Sequence, residues 1–172
     1  SSGGVFIEGQ PEPEPGTLPE VFFEQVSSGY FETLGLRLIA GRPFESTDVP
    51  GGTEVVIIND TMARRFWANE NPLGKRIRRT NNRPWMEVIG VVSDVGFPAN
   101  LAEPYTQLQA FRPMAQGAVN FVNVTVRTAV PPDDLTQPLR QALADLDPSL
   151  ALHRVRAARS LVDEGLSNVS LL

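Results

Sequence analysis

The segment that most constrains the fold is EVVIIND, residues 54–60, in which four β-branched residues follow one another. Such side chains favour the pleated surface of a sheet, and a run without polar alternation is typical of a strand that is buried on both faces. We therefore expect a buried strand here. Asp60 or Thr61 is predicted to cap a following helix, in which Met62 and Phe66 lie on one stripe.

The stretch FFEQVSSGYFETLGLRLIAGRPF, residues 22–44, predicts a strand, a short helix and a second strand. Ser27 or Ser28 is expected to cap the helix, because a hydroxyl can accept a hydrogen bond from the first turn. Gly35 is predicted to end it in a left-handed conformation, since glycine has no Cβ to clash at positive φ. The second strand is expected to be half-buried and to end near Gly41.

Other parts of the chain repeat this alternation of strands, turns and helices. In FVNVTVRT, three valines alternate with mostly polar residues, which predicts a strand with one buried face. The leucines of the next segment recur every four residues, which predicts a helix. The further predicted strands are residues 5–8, 75–79, 85–94, 105–112, 121–127 and 152–156, and the further predicted helices are residues 134–146 and a segment from about residue 160.

Composition excludes several classes of protein. The chain has 172 residues, 20 acidic against 15 basic side chains and a net charge of −5, which disfavours nucleic acid as a partner. Cysteine is absent, so thiol chemistry, disulfides and thiolate metal sites are excluded. No run approaches the roughly 18 consecutive apolar residues that a membrane helix needs.

The segment NENPLGKRI contains a Gly-Lys pair of the kind found in phosphate-binding loops. That motif needs a glycine five residues before Gly74, where Asn69 stands, and a serine or threonine where Arg76 stands. ATP binding is therefore not predicted here. The basic residues Lys75, Arg76, Arg78, Arg79 and Arg83 are interpreted as a charged strand edge that discourages edge-to-edge pairing, with an anionic partner as the alternative.

Catalytic and metal-binding residues are scarce. Asp94 follows a predicted strand, where catalytic acids often lie, but no second carboxylate accompanies it, and a turn is the favoured interpretation. His153 is the single histidine, and it is interpreted as a surface or interlayer residue. Asp133 and Asp134 are better explained as helix caps than as calcium ligands. No metal and no cofactor are predicted.

Six motifs occur in an order and spacing that resembles the MacB-type periplasmic core domain of FtsX-like ABC transporter permeases. They are VSSGYFETLGLRLIAGRPF, VVIINDTMARRFW, NPLGKRI, WMEVIGVVSDV, FRPMAQ, and VRT followed by LRQALADLDPSL. The resemblance covers residues 20 to 165. Ser28 stands where many relatives have proline. Relatives usually carry a helix and a strand before the region that matches residue 1, so we expect a piece of a larger permease whose sheet has an open edge.

The resemblance implies a non-enzymatic, extracytoplasmic domain, periplasmic in a bacterial inner-membrane protein. Its implied partners are the membrane helices of the same permease, an ATPase domain or subunit, a second permease copy and a periplasmic adaptor, without nucleic acid. The domain would pass the movement driven by cytoplasmic ATP hydrolysis to a substrate or partner protein. The residues that match the family motifs are expected to be turns, caps and core anchors: Gly29, Tyr30, Phe31, Gly35, Gly41, Asn59, Phe66, Gly74, Gly90 and Asp94.

The predicted fold class is α+β with two lobes. A porter-like lobe containing a βαβ unit would combine residues 1–44 and 118–166, a mixed α/β lobe of residues 45–117 would be inserted between them, and residues 167–172 would lead toward a membrane helix. Two other functions stay open. One is a free-standing ligand-binding module, which needs a cavity of about 300 Å³. The other is a hydrolase that uses Asp94 and His153 in one pocket.

Overall fold

The computed structural model describes residues 2–11, 14, 17–79, 83–94, 107–117 and 123–147. The strands in these residues are β1 (Ser2–Gly4), β2 (Phe6–Ile7), β3 (Glu20–Val26), β4 (Leu38–Gly41), β5 (Val55–Asn59), β6 (Arg76–Arg78), β7 (Met86–Val92) and β8 (Gln109–Pro113). The α-helices are α1 (Tyr30–Leu34), α2 (Asp60–Trp67) and α3 (Thr136–Leu146), and short 3-10 helices span Met114–Gln116 and Pro132–Leu135.

The chain divides into two compact units. The first comprises Ser1–Val95 with Thr106–Thr125, and the second comprises Gly96–Tyr105 with Val126–Leu172. All eight strands belong to the first unit. The described part of the second unit holds α3 and the 3-10 helix before it.

The strands of the first unit form one mixed sheet in the order β1, β3, β8, β5, β7, β6, β2, with β4 paired to β7. β1 pairs with β3 and β2 pairs with β6, both antiparallel, and only Val5 separates β1 from β2. The ribbon of residues 2–7 therefore joins the two ends of the sheet and closes it into a ring. Ring closure removes most free edges, so the open sheet edge expected from the sequence is largely covered by this ribbon.

Two apolar clusters cover the two faces of β5. Val56 and Ile58 point into a cluster that includes Val21, Val88 and the buried face of α2. Val55 and Ile57 point into the other cluster, in which Phe31 of α1 packs edge-to-face on Phe111 at 5.2 Å between ring centroids. All five residues of β5 are buried. The prediction of a strand buried on both faces is confirmed.

The predicted helix caps are each wrong by one or two residues. The cap of α2 is Asn59, whose side chain accepts a hydrogen bond from the Met62 amide, rather than Asp60 or Thr61. α1 begins after Gly29, and no side chain caps it. At α2 the end of β5 and the start of the helix fall on adjacent residues, so the choice of cap depends on where the last strand hydrogen bond lies.

Gly35 ends α1 in the left-handed region, with φ of 72°, as the sequence predicts. Gly35→Val is expected to lower the free energy of unfolding by more than about 1 kcal/mol, because a β-branched residue is strained at this φ. Chemical denaturation of both proteins measures the difference. An unchanged midpoint and slope would contradict this assignment of strain.

The predicted lobes share one sheet and one core in the described residues. β3, from residues 1–44, pairs in parallel with β8, from residues 45–117, and Val21 packs in the same cluster as Val56. Within the described residues, a separate core for residues 45–117 is therefore not found, because β3 covers the edge of β8 that β5 leaves free. The division that assigns residues 118–166 to a porter-like lobe stays a prediction.

The prediction of a strand over residues 121–127 is wrong for the part that the structure describes, residues 123–127. Residues 123–128 form no strand, and Val124 is 71% exposed. The alternation of residue types indicates one apolar face. A strand also needs a partner for its backbone groups, and the pattern of residue types does not show whether there is one.

The predicted helix α3 is confirmed, with Pro138 in its first turn. The predicted strand 152–156 and the helix from residue 160 lie outside the described residues. Within the part of the chain that the structure describes, no helix is both long and apolar enough to cross a membrane.

Candidate functional site

The most connected polar group in the described residues lies where β5 and β7 end and α2 begins. The Asn59 side chain donates to Asp94 Oδ1 and to the Gln107 carbonyl, each at 2.8 Å. Its Oδ1 accepts from the Met62 amide at 3.2 Å and from the Gln109 amide at 3.0 Å. Asn59 is only 1% exposed. One buried amide therefore joins α2, the end of β7 and the start of β8.

Asp94 completes this polar group from the end of β7. Its Oδ1 also accepts from the Thr61 amide at 3.0 Å, and its Oδ2 accepts from the Thr61 hydroxyl at 2.9 Å. The Arg64 guanidinium lies 3.4 Å from Oδ2. A carboxylate beside the first amides of a helix also interacts favourably with the helix dipole. The geometry thus uses both oxygens of Asp94 for structural hydrogen bonds, and His153, its proposed catalytic partner, lies outside the described residues.

A second polar group links β4 to the loop that follows it. The Arg42 guanidinium forms two hydrogen bonds to Asp48, at 2.9 and 2.8 Å, and the Glu45 amide donates to Asp48 Oδ2 at 2.8 Å. Asp48 is 6% exposed. The Arg42 hydrogen bonds lower the pKa of Asp48, and the Glu45 amide adds to this, while burial acts in the opposite direction.

Asp48→Asn is expected to reduce stability at neutral pH and to have less effect in acid. Because the pKa of Asp48 is lower in the folded chain than in the unfolded chain, the pair stabilises the fold above about pH 4, and this stabilisation is lost as pH falls through the folded pKa. The measurement is the difference in unfolding free energy between wild type and variant from pH 7 to pH 2.5. A difference that stays constant with pH would show that the ion pair contributes nothing.

Gln116 is a buried structural residue that the sequence did not single out. Its Oε1 accepts from the Val55 amide at 3.0 Å, and its Nε2 donates to the Thr53 carbonyl at 2.8 Å. The side chain therefore pairs with the backbone where β5 begins, much as another strand would. The motif FRPMAQ contains this residue, but its pairing depends on a segment 61 residues away, which the sequence does not reveal.

The basic run is largely occupied by contacts within the chain. Lys75 lies 2.6 Å from Glu70, and Arg76 Nε donates to Glu8 at 2.6 Å. Arg78 lies over the Trp85 ring at 4.4 Å, and Arg79 lies over the Phe23 ring at 4.9 Å. The interpretation as a charged strand edge is wrong for β6, because this strand pairs with β7 on one side and with β2 on the other, and neither side is left free for another strand.

The remaining residues singled out from the sequence lie in turns or in the core. Tyr30 donates its hydroxyl to Glu24 at 2.8 Å, and burial, together with this hydrogen bond, raises its pKa. Phe66 packs edge-to-face on Trp67. Gly74 has φ of 79° with open space around it, as suits a turn residue. None of these side chains joins the Asn59 and Asp94 group.

A cavity of about 870 Å³ lies along the edge of β3 in the first unit. Residues 23–27 line one side of it, and residues 123–125 line the other. The remaining lining residues are Tyr30, Thr33, Arg79, Arg112 and Met114. We call this space the β3-edge cavity. Its volume is in the range of ligand-binding pockets.

The described residues contain no group of three or more histidine, cysteine, aspartate or glutamate side chains placed to hold a metal ion. The Gly74-Lys75 turn does not resemble a phosphate cradle, since it is not followed by a helix and the lysine is paired with Glu70. The polar groups described above organise backbone and loops through the hydrogen bonds of Asn59, Asp94, Asp48 and Gln116.

Residues 7–142 match the family model described as the MacB-like periplasmic core domain. The macrolide export ATP-binding/permease protein MacB of Aggregatibacter actinomycetemcomitans is 32% identical over 130 residues, which is 74% of this chain and 19% of that protein. The probable syringafactin export ATP-binding/permease protein SyfD of Pseudomonas syringae pathovar tomato is 34% identical over 113 residues, which is 62% of this chain and 16% of that protein. The chain thus spans less than a fifth of the length of these two relatives.

Solved structures show the same fold. The periplasmic region of MacB from Actinobacillus actinomycetemcomitans aligns with a TM-score of 0.57 at 24% identity, over 85% of this chain and 63% of that one. The extracellular domain of the ABC-type transporter YknZ from Gram-positive bacteria aligns with a TM-score of 0.54 at 19% identity, over 91% of this chain and 80% of that one. The family match covers most of the chain, including both polar groups and strands β3 to β8. This chain therefore belongs to the MacB-like periplasmic core domain family.

Proposed function

We propose that this chain is the non-catalytic extracytoplasmic domain of an ABC transporter permease, and that it passes movement driven by cytoplasmic ATP hydrolysis to a substrate or partner protein outside the membrane. The observation that carries the proposal is the family match over residues 7–142. Relatives at 32% and 34% identity are named ATP-binding/permease proteins. Because this chain covers less than a fifth of each, ATP-binding and membrane parts would lie in the rest of the protein.

The structure supports a body that transmits movement without deforming. The ring of strands is closed by residues 2–7, and buried side chains cover both faces of β5. Close-packed interiors have low compressibility and transmit strain. The polar group of Asn59 and Asp94 fixes α2 to the sheet, which adds to this stiffness.

The ten residues singled out by the family motifs have architectural roles in this proposal. Glycines occupy turns and close contacts, Phe31 and Phe66 anchor helices on the sheet, and Asn59 and Asp94 hold the start of α2. The partners are the membrane helices of the same permease, its ATPase, a second permease copy and a periplasmic adaptor. A porter-like lobe completed by residues 118–166 would give separate faces for membrane-side and partner-side contacts.

The test uses the full-length permease with its ATPase, reconstituted in lipid vesicles. A variant in which residues 20–147 are replaced by a flexible glycine-serine linker is expected to keep ATP hydrolysis and to lose export of the transported substrate. A variant at an exposed position without a positive φ, such as Gly52→Ala, serves as the control, since a Cβ there would meet only the Val49 carbonyl oxygen, at 3.4 Å. Export that continues at the wild-type rate without the domain would refute the coupling role.

The isolated domain is expected neither to bind nor to hydrolyse ATP. The Gly74-Lys75 pair lacks the remaining phosphate-loop residues, and Lys75 is paired with Glu70. Titration calorimetry with Mg-ATP at up to millimolar concentration measures binding directly. Saturable binding with micromolar affinity would contradict the non-catalytic assignment.

A free-standing ligand-binding module is the second candidate, and the β3-edge cavity of about 870 Å³ favours it. The two functions differ in one respect: a module would act without flanking membrane helices. The full-length gene distinguishes the two functions, because a coding sequence without membrane spans on either side of this domain would exclude the permease function. The hydrolase that uses Asp94 and His153 has less support, since both oxygens of Asp94 accept structural hydrogen bonds.

A further inference from the structure

The lining of the β3-edge cavity shows that it lies beside a strand edge rather than above a sheet face. Five consecutive residues, 23–27, line it. Successive side chains of a strand point to opposite faces, so only a space alongside the backbone can touch all of them. On the far side, the consecutive residues 123–125 form the other wall. The cavity is therefore a slot that runs parallel to β3.

The backbone of β3 faces this slot at Gln25. In the described residues, β1 pairs with β3 at Glu20, Val21 and Phe22, and no strand of the described residues reaches Gln25 on that side. On the opposite side, the Phe22 amide donates to the Leu108 carbonyl, so alternate residues 22, 24 and 26 bond to β8. The amide and carbonyl of Gln25 therefore point into the slot. Within the described ranges, neither group has a hydrogen-bond partner.

The charges of the slot favour an acidic ligand. Arg79 lies over the Phe23 ring and forms no ion pair within the described residues. Arg112 pairs with Glu54 through one terminal nitrogen. The lining carboxylate, Glu24, already accepts from Tyr30. Within the described residues the Arg79 guanidinium reaches one backbone oxygen, the Ser2 carbonyl at 3.5 Å, so a ligand carboxylate beside it is stabilised by a charge-assisted hydrogen bond.

We infer that the slot binds an extended, acidic segment of a partner polypeptide, which adds as a strand to β3 and directs a carboxylate toward Arg79 and Arg112. Strand addition supplies hydrogen bonds to Gln25, and the side chains on the Arg112 face supply specificity. A partner chain fits better than residues 123–125 of this chain, because those residues form the opposite wall and leave the 870 Å³ between them and β3. The inference does not depend on the coupling role of the domain.

The experiment titrates the ¹⁵N-labelled 172-residue chain with a capped seven-residue peptide of alternating threonine and valine that carries one central aspartate. Saturable binding is expected, with chemical-shift changes at Gln25 and slower hydrogen exchange of its amide. Two matched peptides are the controls. N-methylation at alternate amides blocks strand pairing and is expected to abolish binding, and asparagine in place of aspartate is expected to weaken it by about tenfold, since it removes the charge.

Two protein variants test the contacts. Gln25→Pro removes the amide proton that faces the slot and leaves the pairing with β8 in place, and proline is tolerated on such strand edges. Gln25→Pro is expected to weaken peptide binding at least tenfold. Gln25→Ala, which keeps the amide, is expected to bind the peptide as the wild type does. Arg79→Gln is expected to weaken binding of the aspartate peptide and not of the asparagine peptide. Arg65→Gln, an exposed arginine on α2, is the matched control. Thermal denaturation checks that each variant is folded.

Several results would overturn the inference. Equal binding of the N-methylated peptide would exclude strand addition, and equal binding of the aspartate and asparagine peptides would exclude the charge contact. A Gln25 amide already protected in the free monomer would show that another segment of this chain occupies the edge. Protection that appears only as the free chain dimerises would show that a second copy occupies it.

Discussion

Gly41→Ala is expected to destabilise the domain by about 3–5 kcal/mol, enough to unfold much of it at 37 °C. Gly41 has φ of 77°, and a Cβ there would lie 2.1 Å from the Ile89 carbonyl oxygen and 2.9 Å from the Gly90 Cα. Its register partner is Gly90 on β7, where a Cβ would lie 2.7 Å from the Arg42 carbonyl oxygen. The two strands therefore approach too closely for a side chain. Chemical denaturation measures the loss.

Gly74→Ala separates the two causes of this effect. Gly74 also has a positive φ, 79°, but a Cβ there meets nothing within 4 Å. Its expected cost is about 1 kcal/mol, from backbone strain alone. Gly29→Ala, with ordinary φ and open space, is expected to be neutral. Equal losses for Gly41→Ala and Gly74→Ala would show that the close approach of β4 and β7 carries no energy.

Asn59→Ala is expected to destabilise the domain by about 3 kcal/mol. The substitution removes the helix cap and leaves the Gln107 carbonyl and the Gln109 amide without their partner in a partly buried place. Urea denaturation followed by circular dichroism measures the change in unfolding free energy. Hydrogen exchange of the Met62 amide, to which Asn59 Oδ1 is bound, reports whether α2 loosens at its start.

Asn71→Ala is the matched control, because Asn71 accepts one hydrogen bond from the Leu73 amide at an exposed position. Its expected effect is within about 0.5 kcal/mol. Asn59→Asp tests the electrostatics: it keeps the acceptor but places a second carboxylate against Asp94, so the variant is expected to lose stability as pH rises above about 4. Equal stability of Asn59→Ala and Asn71→Ala would show that the hydrogen bonds of Asn59 do not stabilise the fold.

The sequence alone determined the elements with strong local signals. A run of β-branched residues identified β5, a glycine identified the end of α1, and leucine spacing with an early proline identified α3. In each case the physical cause is local: side-chain shape, a missing Cβ, or a missing amide proton decides the backbone conformation. The family followed from six collinear motifs, and the match over residues 7–142 confirmed it.

The tertiary structure alone decided which segments pair. The ribbon of residues 2–7 joins β3 to β6. β3 pairs with β8, which lies more than 80 residues later in the chain. The described residues of the two predicted lobes therefore share one core. The same holds for Gln116, Arg42 and Asp48, whose roles depend on contacts that no local pattern encodes. Residues 123–127 show the converse, since alternation predicted a strand there and no partner pairs with it in the described residues. Local chemistry sets the conformation that a segment prefers. Long-range hydrogen bonds and packing decide which other segment pairs with it.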